Sequence, residues 1–151
     1  MDEASDDADG GRSSTALPLE TSLSLDGDSS RIAQARHVAT AFLVKARDHA
    51  SIPVAKATVE IVQLIVSELV TNARKYAPGP ALLKLHIHGM VLTVELWDSS
   101  PVVPAAKAAN PERVGQHGLE IVAALAQTLT VEATTVGKRI TAHITLDVTM
   151  A

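Results

Sequence analysis

The order of apolar and polar positions divides the chain into elements before composition is considered. Leu19, Thr21, Leu23 and Leu25 alternate with polar neighbours, the period of a strand with one covered face. Asp26-Gly27-Asp28-Ser29 marks a turn and offers Asp28 or Ser29 as a helix cap. From Arg31 to about His49, Ile32, Ala35, Val38, Ala39, Phe42, Leu43 and Ala46 recur at helical spacing. After a break at Ser51–Pro53 a second helix is predicted to run to Tyr76, ended by Pro78-Gly79-Pro80. Two strands follow, Leu83-Leu85-Ile87 and Leu92-Val94-Leu96 against polar alternates, with Gly89-Met90 as the hairpin turn. Ser99 to Val114 carries Pro101, Pro104 and Pro111 and no period, and a connection of that length in a compact domain is commonly a functional lid. Gly115-Gln116-His117-Gly118-Leu119 then leads into an apolar helix from Leu119 to Ala126. In the closing strands Leu129, Val131 and Ala133 point inward, as do Ile140, Ala142, Ile144, Leu146 and Val148, with the turn at Gly137-Lys138.

Because the strands alternate, each has one covered and one exposed face. The pattern predicts an α/β (α+β) fold. Its form is a two-layer sandwich, a largely antiparallel mixed sheet covered on one face by about three helices.

Composition adds three constraints. Aromatic residues are 2% of the chain while hydrophobic residues are 46%, so the core is built from Val, Leu, Ile and Ala. Cysteine is absent, which excludes disulfides, thiolate metal sites and a cysteine nucleophile. The net charge of −4 is accounted for by Asp2, Glu3, Asp6, Asp7 and Asp9 against Arg12. The remainder is neutral, which argues against a general nucleic-acid binder. Residues 1–18, acidic and rich in Gly and Ser, are expected to form a disordered tail, and 19–151 a single domain. With no apolar run of membrane-spanning length and no signal-peptide pattern, the expected location is cytoplasmic, away from membranes.

The chemistry concentrates on Ile61 to Ala77. Ile61, Leu64 and Ile65 share a helical face that Glu68 and Asn72 continue, beside a second stripe of Val62, Val66, Leu69 and Ala73. Polar groups there must be hydrogen-bonded, paired or beside a wet pocket. A satisfied structural pair and a functional site are equally good readings of this helix alone. Asp98 follows Leu92, Val94 and Leu96 in phase, which puts a second acid on the helix-covered side of the sheet. Such a carboxylate can accept a hydrogen bond from an exocyclic amine such as that of adenine. An Asn oxygen is a hard ligand suited to Mg²⁺, Glu68 can act as a general base, and a helix N-terminus suits phosphates. Together these parts compose a nucleotide site without a P-loop. Elsewhere His86 and His88 have chelating spacing but no evident third ligand, and read better as a solvated strand face. Trp97 points away from Asp98 and suits packing or a partner contact, and Arg74 and Lys75 suit the helix dipole.

ELVTNARKYA (Glu68 to Ala77), LWDSSP (Leu96 to Pro101) and GQHGLEIV (Gly115 to Val122) resemble the three boxes of the GHKL ATP-binding superfamily. The small single-domain form and the ELVTNA string look most like its bacterial anti-sigma-factor serine/threonine-kinase branch. The resemblance spans about Ser30 to Val148. It implies the Bergerat-type ATP-binding fold, with ATP and Mg²⁺ as cofactors. Glu68 would be the catalytic base, Asn72 the Mg²⁺ ligand and Asp98 the partner of the adenine amine. Gly115, His117, Gly118 and Leu119 would lie against the phosphates. Implied partners are a sigma factor and an anti-anti-sigma protein, with a homodimer also allowed.

The chain also departs from that pattern. The second box has Asp98-Ser99-Ser100-Pro101 where relatives carry glycines, and Gln116 stands at the first glycine of the third. Tyr76 replaces a frequent His, and Arg139 stands where relatives carry Thr, with Thr141 as the available substitute. These departures keep open a non-catalytic partner-binding module with weak or no ATP binding. A histidine-kinase catalytic fragment is a third reading, disfavoured because residues 1–30 contain no dimerisation helix.

Overall fold

A computed structural model describes residues 19–25, 31–76, 79–99 and 116–146. The acidic segment 1–18, the connection 100–115 and the Pro78 and Val148 positions lie outside them. The elements run β1 (Leu19–Leu25), α1 (Arg31–His49), α2 (Lys56–Tyr76), β2 (Ala81–His88), β3 (Val91–Asp98), α3 (Gln116–Leu125), β4 (Thr128–Ala133) and β5 (Lys138–Thr145). The five strands form one sheet in the order β1-β2-β3-β5-β4. Every pairing is antiparallel, where the sequence pattern had left room for a mixed sheet.

The register follows from alternation. Leu23, Leu83, Leu96, Ile140 and Val131 stand abreast across the sheet, and the next row toward the hairpin is Thr21, Leu85, Val94, Ala142 and Leu129. These rows meet the helices, and Leu83, Leu85, Val94, Leu96, Ile140 and Ala142 are fully buried. Because the side-chain period of a strand is two, one residue of slip would carry this whole set into solvent. The β2–β3 turn is closed by Gly89 at φ 63°, a backbone conformation glycine adopts without a Cβ clash.

The helices cover the same face. Helix α2 packs between α1 and α3 and rests on β3, while α1 lies over β1 and α3 over β4. Small residues let α1 approach closely: Ala35, Ala39 and Ala46 are fully buried beside Leu43 and Phe42. Gln63 donates to Thr40 Oγ1 at 2.8 Å, tying α2 to α1. Helix α1 ends with Ser51 at φ 57° and a hydrogen bond from Ile52 N to Ala46 O at 3.1 Å, a left-handed cap that turns the chain toward α2. No helix of the described residues is long and apolar enough to cross a membrane.

Two boundaries differ from the sequence expectation. Helix α3 begins at Gln116, a turn earlier than Leu119, since neither Gly118 nor His117 prevents the first turn from forming. On α2 the buried arc is Val62, Ile65, Val66, Leu69, Val70 and Ala73, and Leu64 is 41% exposed. Flanking helices on both sides draw the arc toward Val62–Leu69–Ala73 and leave Leu64 outside it. Accordingly, Leu69→Ala is expected to cost about 2–5 kcal/mol of stability. Leu64→Ala should cost no more than about 0.5–1 kcal/mol. Urea denaturation of both variants checks this register.

Candidate functional site

The site begins with one row of the sheet. Beyond the apolar rows, toward the α2 C-terminus, the next residues abreast are Leu25, Ala81, Asp98, Lys138 and Ala133. Asp98 and Lys138 are thus direct cross-strand neighbours on the helix-covered face, in phase with Leu96 and Ile140. Lys138 Nζ stands 2.7 Å from Asp98 Oδ2, with the two side chains 2% and 0% exposed. Their attraction offsets the desolvation of two charges only because they are in direct contact.

The backbone forces this meeting. A Cβ on Gly137 would lie 1.9 Å from the Asp98 carbonyl oxygen and 2.7 Å from Ser99 Cα, so glycine alone lets the start of β5 pass this close to the end of β3. Thr134 holds the approach from both sides: its Oγ1 accepts from Gly137 N at 3.0 Å, and its own N–H donates to Gly137 O at 2.8 Å.

Above this corner lies the C-terminal half of α2. Asn72 is 3% exposed, on the buried arc as its spacing predicts. Glu68, one turn earlier, sits at the margin of that arc and is half-buried. It forms no hydrogen bond or ion pair with another described residue, so nothing there marks it as a structural tie. Helix α2 ends at Tyr76 and β2 starts at Ala81, which pairs with Asp98. The short link between them, at most about 18 Å when extended, keeps Asn72 and the Asp98–Lys138 pair at one end of the sandwich.

The third component is the start of α3. Gln116, His117, Gly118 and Leu119 form its first turn, whose backbone N–H groups have no partner within the helix. The Leu119 side chain is buried in the core, so any contact it makes with a phosphate is through its backbone. Gly115 lies outside the described residues.

The opposite face of the sheet absorbs the remaining sequence candidates. Trp97 and Arg139 are cross-strand neighbours there, with the guanidinium 4.9 Å from the indole centroid. Trp97 Nε1 donates to Glu95 at 3.0 Å, and Arg139 pairs with Glu132. His86 is half-buried on this face and His88 exposed; no cluster of three or more metal-ligating side chains occurs among the described residues. Thr141 shares this parity, on the far side of the sheet from Asp98, and so does not serve as the substitute threonine. Lys138 is the β5 residue on the Asp98 side. Sequence reading assigned it to the turn, although it stands two residues before Ile140 and in phase with it.

A family model of the histidine kinase-like ATPase domain matches residues 26–144. No curated protein matches the chain. Among solved structures the chain is similar to the Acinetobacter baumannii histidine kinase AdeS, with a TM-score of 0.51 and 13% identity, over 84% of this chain and 68% of that one. Identity that low shows a shared fold alone.

The buried pair makes a stability prediction. Lys138→Met removes the counter-charge of the buried Asp98 carboxylate and is expected to cost about 3–5 kcal/mol. Replacing both, as Asp98→Leu with Lys138→Met, should recover most of that loss, since an apolar pair has no charge to desolvate. A double-mutant cycle in guanidinium chloride measures both.

Proposed function

The chain belongs to the histidine kinase-like ATPase domain family, and on that premise we propose that it is an ATP-binding regulatory protein of the anti-sigma-factor type. In this reading it acts in the cytoplasm as a serine/threonine protein kinase on an anti-anti-sigma protein, and controls transcription by exchanging that partner for a sigma factor. The observation that carries the reading is Glu68 and Asn72, one turn apart in the C-terminal half of α2, with Asn72 on its largely apolar buried arc and Glu68 at the margin. A carboxylate at the edge of a core, with no partner among the described residues, supports a role in proton transfer over one in holding the fold.

The chemistry follows from those groups. A serine or threonine hydroxyl of the antagonist attacks the γ-phosphorus of ATP, and Glu68 takes the hydroxyl proton. The bond from the γ-phosphorus to the bridging oxygen breaks, leaving ADP and a phosphorylated antagonist. The N–H groups opening α3 supply donors for the phosphate oxygens. Asn72 suits Mg²⁺ by donor type, an amide oxygen whose ion would otherwise be ligated by phosphate oxygens and water. Bound there, Mg²⁺ would neutralise phosphate charge.

A second reading has one observation in its favour. The carboxylate suited to an adenine amine is already in a buried ion pair with Lys138. This favours a partner-binding module on the same fold with weak or no ATP binding.

Calorimetric titration with ATP, with and without Mg²⁺, separates the two readings. The kinase reading expects Mg²⁺-dependent binding that Asn72→Ala weakens. It also expects Glu68→Ala to lower transfer to the antagonist about 10²–10⁴-fold. ATP affinity and melting temperature should stay near wild type in that variant. Parallel loss of all three would make Glu68 structural, and normal transfer in a folded Glu68→Ala protein would remove it from the mechanism. Absence of ATP binding in the wild-type chain favours the module.

A further inference from the structure

We propose that Lys138 decides whether this site reads the base of a nucleotide. Its ammonium occupies the Asp98 carboxylate that a ligand's exocyclic amine would otherwise take, so the wild-type chain does not recognise the 6-amino group of a purine. The proposal rests on the reading of Asp98 as a nucleotide-facing group.

One oxygen of the candidate amine acceptor is already occupied from within. An exocyclic amine would approach to hydrogen-bond distance of a carboxylate oxygen, and Lys138 Nζ stands at that distance, 2.7 Å from Asp98 Oδ2, as an ion pair. The two occupants are not equivalent. The ammonium carries a full charge and forms an ion pair with the carboxylate, where a neutral amine would add only a hydrogen bond to it. Displacement would also leave the ammonium without its counter-charge in a place where its side chain is 2% exposed.

Lys138 also has little freedom to withdraw. Gly137 is pressed against the Asp98 carbonyl and Ser99 Cα, and Thr134 binds Gly137 through both its hydroxyl and its amide. On its far side Lys138 continues directly into the Ile140–Ala142–Ile144 run of β5, where each residue is buried. The backbone on either side of Lys138 is fixed, and only side-chain torsions remain to move the ammonium. Shortening the side chain removes the occupant and leaves the strand pairing, because cross-strand hydrogen bonds are made by the backbone.

The test compares two Mg²⁺-nucleotides that differ at one position, ATP and inosine triphosphate, which carries oxygen in place of the 6-amino group. Calorimetry on the wild-type chain is expected to show both bound within about twofold of each other, or neither bound. In Lys138→Thr, ATP affinity should rise by about 10- to 100-fold, the worth of a hydrogen bond to a charged group. The affinity for inosine triphosphate should change far less. Lys138→Met serves as a second variant should the threonine protein not fold, with circular dichroism melting as the check on both. The wild-type comparison does not depend on any variant folding. A wild-type chain that prefers ATP by tenfold or more overturns the proposal and leaves the ATP-binding reading standing. So does equal binding in the wild type with no gain of ATP affinity in a folded variant. If neither the wild type nor a folded variant binds either nucleotide, the proposal and the ATP-binding reading fall together.

Discussion

Two charges held inside an aliphatic sandwich set the terms for one whole end of this molecule. The Asp98–Lys138 pair terminates rows of Leu, Ile, Val and Ala that run unbroken across β2, β3 and β5. An ammonium or a carboxylate alone in such a place would carry a desolvation cost of several kcal/mol, which contact between the two charges offsets. The β3–β5 register brings the two charges together, and glycine is necessary at position 137, where a side chain would meet the β3 backbone.

Around that corner the fold divides its labour by sheet face. The covered face carries the core and, at one end, the described groups assigned to the nucleotide reading: Asn72, Glu68, Asp98 and the first turn of α3. The other face carries a polar relay of Glu95, Trp97, Arg139 and Glu132, in which the chain's single tryptophan is anchored by a stacked guanidinium and a hydrogen bond. With so few aromatic residues, the core depends on close approach of helices and sheet. The alanines of α1 and the unbroken aliphatic rows of β2, β3 and β5 supply it.

The membership of the family and the particulars of the chain pull in different directions, and the structure shows where. Of the first stretch, Asn72 is inside and Glu68 is at the edge. The second stretch keeps its acid, with Lys138 of β5 seated on the carboxylate. One fold can support both phosphoryl transfer and partner binding without catalysis, so function here rests on those side chains rather than on the architecture.

Alternation and helical spacing determined the element order, the hairpin at Gly89, the single covered face and the inward placement of Asn72 and Asp98, because these depend on residues a few positions apart. The tertiary structure decided what those patterns leave free. Leu64 fits the apolar spacing of α2 yet lies outside, since the neighbouring helices select which arc of a broadly apolar helix is covered. Thr141 and Arg139 fall on the outer face because the β3–β5 register gives the Asp98 side to even-numbered positions of β5. Lys138 was in phase with Ile140 all along, but a lysine beside a turn glycine reads as solvated. Its burial became necessary only when strand pairing set it opposite a carboxylate already committed to the core. A charge far along the chain is invisible to a local pattern, and the energy that buries it exists only after the two strands meet.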